Sequence, residues 1–285
     1  MSSFKDGIKT LLLKAHKESS EVSTIDFLKS YGFSDNYINS FFKPFFSGIF
    51  LERDLRSPAN YFSFLFNRFS NGLATLPAGG MGRVTEQLAE HAHGNIRLNY
   101  EVKSVVNEEG KVIVNKGEES ELICEKIIVA TDAPSVKKLF PDVNASSAKR
   151  VVTTVYFTSD KKVSDGDYLL LNGANKGRVN HIAFLSNVNS NYSPAGKSLI
   201  SVNVLDVDNV NPDEILKEIQ DWGLDLGNGW QHLATYPIHY AQPDEFFQGR
   251  YKSDLQNIIF AGDFTETPSI EGAMISGEKA ALKAI

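Results

Sequence analysis

The sequence contains a single cysteine, Cys124, and this scarcity excludes an intramolecular disulfide framework. One thiol fits a reducing compartment, so we expect the protein to be cytoplasmic. Cys124 lies in the apolar-flanked run Leu122-Ile123-Cys124. A core thiol is the simpler interpretation there, with a nucleophile as the alternative, because free cysteine is among the most buried residue types.

The sequence also lacks a long apolar run and an excess of positive charge. No stretch approaches the roughly 20 apolar residues of a membrane-spanning helix, since residues 41–50 are interrupted by Lys43, Pro44 and Gly48. The N-terminus shows no secretory signal pattern. A formal net charge of −6 argues against nucleic acid as a partner, because it leaves no basic surface excess.

Common catalytic and metal-binding patterns are missing too. The histidines are His16, His91, His93, His181, His232 and His239. None has metal-ligand spacing with cysteine or carboxylate, so we predict no metal site. There is no Gly-x-Ser-x-Gly elbow and no P-loop. There is also no Gly-x-Gly-x-x-Gly, the turn whose backbone amides cradle a pyrophosphate.

Residues 1–75 are predicted to form helices. Thr24 can cap a first helix that Gly32 ends, and Ser34 can cap a second that stops before Pro44. Ser57-Pro58 can start a third helix. Twelve of the 19 phenylalanines lie in this quarter of the chain, so its apolar surface needs an explanation. Core packing is one explanation, and an apolar substrate tunnel or a face against another domain is the other.

The pattern changes at residue 76. A glycine-rich loop, Leu76–Gly82, opens a helix, and alternating apolar residues then predict a strand at Ile96–Val102. A turn at Gly110 leads to a second strand, Lys111–Val114. The apolar, β-branched run Ile127–Ala130 is typical of a strand buried on both faces.

Residues 150–240 alternate strand-like runs with polar turns and predict a largely antiparallel sheet with helical cover. The strands are expected at Val151–Thr158, Tyr168–Leu171, His181–Val188, Leu199–Leu205 and Leu233–Tyr240. A helix with Pro212 in its first turn is expected before the last strand.

The C-terminal block carries the strongest signal. A buried strand, Asn257–Ala261, ends in Gly262-Asp263 and is followed by a helix from Ser269. A carboxylate at the carboxyl edge of a sheet can accept hydrogen bonds from ribose or ribitol hydroxyls. The small residues Gly272 and Ala273 let the start of the helix approach a flat ring. A Gly-Asp turn before an ordinary helix is the plainer alternative.

Taken whole, the block resembles the C-terminal flavin motif of the amine oxidase and phytoene desaturase family, in which Gly-Asp or Gly-Glu precedes a helix with Glu-Gly-Ala and Ser-Gly. The resemblance implies an FAD cofactor, with Gly262 and Asp263 on the ribitol side. It implies that the backbone around Ser269, Ile270, Gly272 and Ala273 meets the isoalloxazine. Tyr236 or His239 could lie near the flavin, although a purely structural strand explains them as well.

Other segments resemble the same family. Leu76–Gly82 is similar to its loop near the flavin, and Asn99–Val102 to the strand whose valine backbone pairs with adenine, here Val102. Ile127–Pro134 is similar to the turn that passes the cofactor's phosphates, which assigns Ala130 to cofactor binding.

The resemblance implies an α/β chain of mixed α+β character: a partial FAD-binding dinucleotide fold plus a substrate domain with a mixed or antiparallel sheet and helical cover. The substrate domain is expected at residues 1–75 and 141–255, and the FAD-binding domain at 76–140 and 256–285. Because the Gly-x-Gly-x-x-Gly element opens the chain in this family, we expect an N-terminal truncation, with a split gene or genuine loss as alternatives.

The implied reaction is transfer of a hydride from a C–N or C–C bond of a small molecule to the flavin. The chemistry requires no catalytic acid or base, and none is assigned. The Phe-rich helices favour an apolar substrate. A cofactor-free remnant or binding protein of the same fold is the alternative function.

Overall fold

The computed structural model describes residues 10, 21–92, 94–143, 149–160, 166–223, 229–243 and 255–285. The chain divides into two compact units. Unit 1 comprises Met1–Ala92 and Arg150–Ala241, and unit 2 comprises His93–Lys149 and Gln242–Ile285. Residues 76–92 therefore belong to unit 1 in this division. The assignment of the units to cofactor and substrate stays a prediction.

The helices of the described residues are numbered in chain order. They are α1 (Thr24–Ser30), α2 (Asp35–Tyr37), a π-helical turn (Ile38–Phe42), α3 (Lys43–Phe50), α4 (Ala59–Asn71), α5 (Gly82–Glu90), α6 (Ala133–Leu139), α7 (Leu185–Val188), α8 (Pro212–Asp221) and α9 (Ile270–Ala284). Short 3₁₀ turns span Ser190–Tyr192 and Asp263–Thr265.

The strands of the described residues form three sheets. They are β1 (Val105–Glu108), β2 (Lys111–Val114), β3 (Leu122–Cys124), β4 (Ile127–Val129), β5 (Lys149–Ser159), β6 (Leu169–Leu171), β7 (Val179–Ala183), β8 (Ser198–Leu205), β9 (Gln231–Pro243) and β10 (Ile258–Phe260). The orders are β1-β2-β3, β10-β4 and β6-β7-β8-β5-β9.

Predicted helix starts are correct to within one residue. Ser34 caps α2 as expected, through a bond from the Tyr37 amide of 3.2 Å. The cap of α1 is Ser23, not Thr24, whose buried hydroxyl donates to the Ser57 carbonyl at 2.7 Å. Helix α4 begins after Pro58, because the Ser57 hydroxyl is bonded to the carboxylate of Glu52 and does not cap the helix.

The prediction that a helix stops before Pro44 is wrong. A π-helical turn over Ile38–Phe42 leads directly into α3, and Pro44 lies in the first turn of that helix. Pro44 lies where the hydrogen-bonding pattern changes from that of the π-helical turn to that of the α-helix, and it donates no amide hydrogen there. The helical segment therefore continues to Phe50.

Most phenylalanines of the N-terminal helices pack on one another. Phe42, Phe46, Phe50 and Phe62 are at most 1% exposed, and the rings of Phe46 and Phe62 lie 4.6 Å apart. Phe45, which precedes Phe46 on α3, is half-buried. Core packing therefore accounts for the innermost rings, and an apolar tunnel stays a prediction.

The five-stranded sheet of unit 1 confirms the predicted antiparallel sheet: β5 with β8, β6 with β7 and β7 with β8 all pair antiparallel. One face is apolar. It contributes Val155, Ile182 and Val202 to a core that includes Ile215 and Ile219 of α8. The predicted strand His181–Val188 is too long, since β7 ends at Ala183 and residues 185–188 are helical.

Unit 2 contains the antiparallel sheet β1-β2-β3 and the parallel pair β4 and β10. The strand predicted at Ile96–Val102 is wrong, because the described residues of this segment form no strand and pairing begins at Val105. The prediction that β4 is buried on both faces is also wrong, since Ile128 is 39% exposed.

Candidate active site

The site begins where β4 and β10 end. The two strands run parallel with Val129 opposite Phe260, and the pairing continues through a bond of 3.0 Å from the Ala261 amide to the Val129 carbonyl. The carboxyl ends of parallel strands meet at one edge of a sheet, which is where ligands bind in open α/β folds. The structure therefore brings Ala130 and the Gly262-Asp263 pair to the same edge.

Asp263 is a partly buried carboxylate at this edge. Burial raises the pKa of Asp263, while bonds from the amides of Phe264 and of Asp263 itself lower it, and the charge of Asp132 raises it. Asp132 follows β4 and caps α6, accepting a bond of 2.9 Å from the Ser135 amide. A partly desolvated carboxylate gains from a donor that replaces lost water, such as a sugar hydroxyl.

The turn that presents Asp263 is fixed to α9 by Ser276. The Gly262 amide donates to the Ser276 hydroxyl at 2.8 Å, and that hydroxyl donates to the Ala273 carbonyl at 2.6 Å. Gly262 has φ +153°, and a β-carbon there would lie 2.3 Å from the Phe264 ring. Only glycine fits this turn.

The N-terminus of α9 is open to solvent along one side. Ser269 caps the helix, accepting a bond of 2.9 Å from the Gly272 amide. Ile270 is 59% exposed and Ala273 is exposed. Gly272, however, is buried against the Thr267 carbonyl. Its small size serves the packing of its own loop, and the approach of its backbone to a flat ring stays a prediction.

Val102 precedes β1 on a separate segment of unit 2. Its side chain is 38% exposed, and neither its amide nor its carbonyl bonds to any described residue. The backbone on both sides is held by Asn115, which accepts from the Lys103 amide at 2.8 Å and donates to the Glu101 carbonyl at 2.9 Å. Sequence reasoning missed Asn115, whose only signal is an asparagine directly after a strand.

These residues fit FAD in part. The carboxylate of Asp263 can hold ribityl hydroxyls, and the α9 N-terminus favours negative charge. The backbone amide of Val102 offers a hydrogen-bond donor beside an acceptor, the carbonyl of the same residue. The amides that would cradle a pyrophosphate in a Gly-x-Gly-x-x-Gly turn are not encoded in this sequence.

Metal ions and membranes have no comparable support. The part of the chain that the structure describes contains no group of three or more histidine, cysteine, aspartate or glutamate side chains placed to hold a metal. Among the same residues, no helix is both long and apolar enough to cross a membrane.

Solved structures share the fold of this chain at low sequence identity. An oxidoreductase from Methanosarcina mazei is 15% identical with a TM-score of 0.73, over 98% of this chain and 73% of that one. Putrescine oxidase bound to putrescine is 13% identical with a TM-score of 0.62, over 98% and 73% of the two chains. Reduced UDP-galactopyranose mutase is 11% identical with a TM-score of 0.60, over 93% and 67%.

No curated protein matches the sequence significantly. The family model described as flavin containing amine oxidoreductase matches residues 5–285. That match covers nearly the whole chain, including every residue of the candidate site. The chain therefore belongs to the flavin-containing amine oxidoreductase family.

Proposed function

We propose that the protein is an FAD-dependent oxidoreductase that takes a hydride from a C–N or C–C bond of a small, largely apolar substrate. The observation that carries this proposal is the placement of Asp263 and the N-terminus of α9 at the carboxyl edge of β4 and β10. The Phe-rich helices support an apolar substrate, and the single cysteine supports a cytoplasmic location.

Each part of the site has a distinct role in this proposal. Asp263 would accept hydrogen bonds from the ribityl hydroxyls, and Val102 would hold the adenine through its backbone. The N-terminus of α9, at Ser269 and Ile270, would stabilise negative charge on the flavin by about 0.3–1 kcal/mol. The turn at Ala130, directly after β4, would run beside the phosphates of the cofactor. A bound flavin supplies the hydride acceptor, and the protein supplies orientation and charge stabilisation.

A cofactor-free binding protein of the same fold is the second candidate. The observation that favours it is the missing Gly-x-Gly-x-x-Gly turn, since phosphate recognition depends on backbone amides at such a helix start. For the same reason we expect this chain by itself to bind FAD more weakly than about 1 μM, which corresponds to about −8 kcal/mol.

Titration of FAD against the purified chain, followed by flavin fluorescence, separates the two functions. We expect weak saturable binding that Asp263→Asn weakens about tenfold or more, because hydrogen bonds to a charged group are the stronger ones. Asp142→Asn is the control, since Asp142 is an exposed carboxylate of the same unit. Equal affinities for wild type and Asp263→Asn would refute the site, and no binding at millimolar FAD would favour the binding protein.

A further inference from the structure

Asn115 is a buried asparagine with an unusual backbone. It follows β2, its exposed fraction is 0%, and its φ is +52°. Asparagine is one of the few residues that tolerate this left-handed conformation. Both the oxygen and the nitrogen of its side-chain amide form two hydrogen bonds each. The oxygen accepts from the amides of Lys103 (2.8 Å) and Ser104 (3.4 Å), and the nitrogen donates to the Glu101 carbonyl (2.9 Å) and the Ser120 hydroxyl (3.0 Å).

The Asn115 side chain therefore takes the place of a neighbouring strand for residues 101–103. Successive residues of an extended chain present their hydrogen-bonding groups to opposite sides. Because the Glu101 carbonyl and the Lys103 amide both face Asn115, the amide and carbonyl of Val102 are left on the other side. Neither of them bonds to a described residue.

We propose that Asn115 is a positioning residue for nucleotide recognition, which fixes residues 101–103 so that the two backbone groups of Val102 read the edge of an adenine. This inference rests on the proposed function. Adenine presents an acceptor nitrogen beside an amino donor, the complement of a backbone amide beside its carbonyl. FAD contains an adenine and FMN does not. If Val102 reads the adenine, the preference of the protein for FAD over FMN depends on Asn115.

Two substitutions at Asn115 remove the interaction in different ways. Asn115→Asp keeps the shape but loses the donor to the Glu101 carbonyl. Asn115→Gly keeps the left-handed backbone but loses all four side-chain bonds. Asn175→Asp is the matched control, because Asn175 also has φ +52° and donates to one carbonyl, that of Asn39 at 2.7 Å, within unit 1.

The experiment is an amide NMR titration of each purified protein with AMP and, separately, with FMN. In the wild type, AMP is expected to shift the Val102 amide resonance. Both Asn115 variants should bind AMP about tenfold more weakly, the loss expected for one or two neutral hydrogen bonds. Their FMN affinity should equal that of the wild type, and Asn175→Asp should bind both ligands normally.

Several outcomes overturn the inference. One is a Val102 amide that saturating AMP leaves unmoved, and another is a folded Asn115→Asp that binds AMP as the wild type does. Equal losses for AMP and FMN would assign Asn115 a merely structural role. Should both variants fail to fold, amide exchange in the wild type decides: the Lys103 amide must exchange slowly with or without AMP, and AMP must slow the exchange of the Val102 amide. AMP binding as expected without any FMN or FAD binding would refute the flavin function alone.

Discussion

The α-carbon of Gly272 faces the Thr267 carbonyl so closely that a β-carbon at residue 272 would lie 1.9 Å from that oxygen. Thr267 belongs to the loop that carries Asp263 to the start of α9, so this contact sets how near the loop lies to the helix. Gly277, one and a half turns later on α9, is exposed, and a β-carbon there would meet nothing within 4 Å.

Gly272→Ala is therefore expected to lower the free energy of unfolding by about 1–3 kcal/mol, because a backbone carbonyl must move to admit the methyl group. Gly277→Ala is the control on the same helix. It should raise stability by about 0.5–1 kcal/mol, since alanine is the better helix former. Urea unfolding of both variants measures the difference, and equal effects would contradict the packing of this loop.

Glu52 and Arg150 form a buried ion pair in unit 1. The two side chains are 7% and 5% exposed and 3.6 Å apart, and the Glu52 carboxylate also accepts from the amide and hydroxyl of Ser57 at 2.6 Å. Glu52→Gln should lower the free energy of unfolding by about 3–5 kcal/mol, because it removes the buried carboxylate that faces the Arg150 charge at 3.6 Å.

The control for Glu52→Gln is Arg56→Gln. Arg56 lies 3.9 Å from the same carboxylate, but its side chain is 74% exposed. Its loss should cost less than about 1 kcal/mol, as for other surface pairs. Denaturant titration measures the free energy of unfolding of each variant. Similar losses for Glu52→Gln and Arg56→Gln would show that burial does not strengthen the pair of Glu52 and Arg150.

His181 is expected to make stability depend on pH. Burial lowers the pKa of His181 from 6.5 to about 4, and its ring bonds to Asn180 and Asn203 at 2.8 and 2.7 Å. Below pH 6.5 the unfolded chain binds a proton that the folded chain does not. Stability should therefore fall by about 3 kcal/mol as the pH drops from 6.5 to 4.

Unfolding free energies at pH 7.5, 6 and 5 test this dependence. The slope of the unfolding free energy against pH measures the dependence, and the part of this slope that His181→Gln removes is the contribution of His181. His239→Gln is the comparison at a histidine whose side chain is 60% exposed, and His181→Gln should remove more of the slope than it does. A slope that persists in His181→Gln would assign the effect to other groups.

The packing of the Phe-rich helices predicts unequal costs for two alanine substitutions. Phe46→Ala should lower the free energy of unfolding by about 3–5 kcal/mol, because the ring is 1% exposed and its removal leaves a cavity. Phe69→Ala should lower it by less than about 1 kcal/mol, since Phe69 is 44% exposed and its ring lies 5.4 Å from that of Phe45. Thermal unfolding compares them. A small loss for Phe46→Ala would favour an apolar tunnel over a packed core.

The sequence by itself determined the local elements. Caps such as Ser34 and Ser269, the turn at Gly110 and the glycine at residue 262 all reflect short-range chemistry that residue types reveal. The alternating pattern of residues 150–240 was enough to predict the antiparallel sheet. The Gly262-Asp263 block was enough to predict a strand, a turn and a helix.

Tertiary structure alone decided which groups meet. Residues 96–102 have the alternation of a strand, yet 101–103 bond to the side chain of Asn115, 12 residues after Lys103. Pro44 predicts a helix end, but a π-helical turn carries the chain past it. Gly272 packs against the Thr267 carbonyl, a contact that the residue types do not reveal. The reason is the same in each case: backbone donors, acceptors and apolar surface are satisfied by whichever partner the folded chain brings near, and a local pattern does not specify that partner.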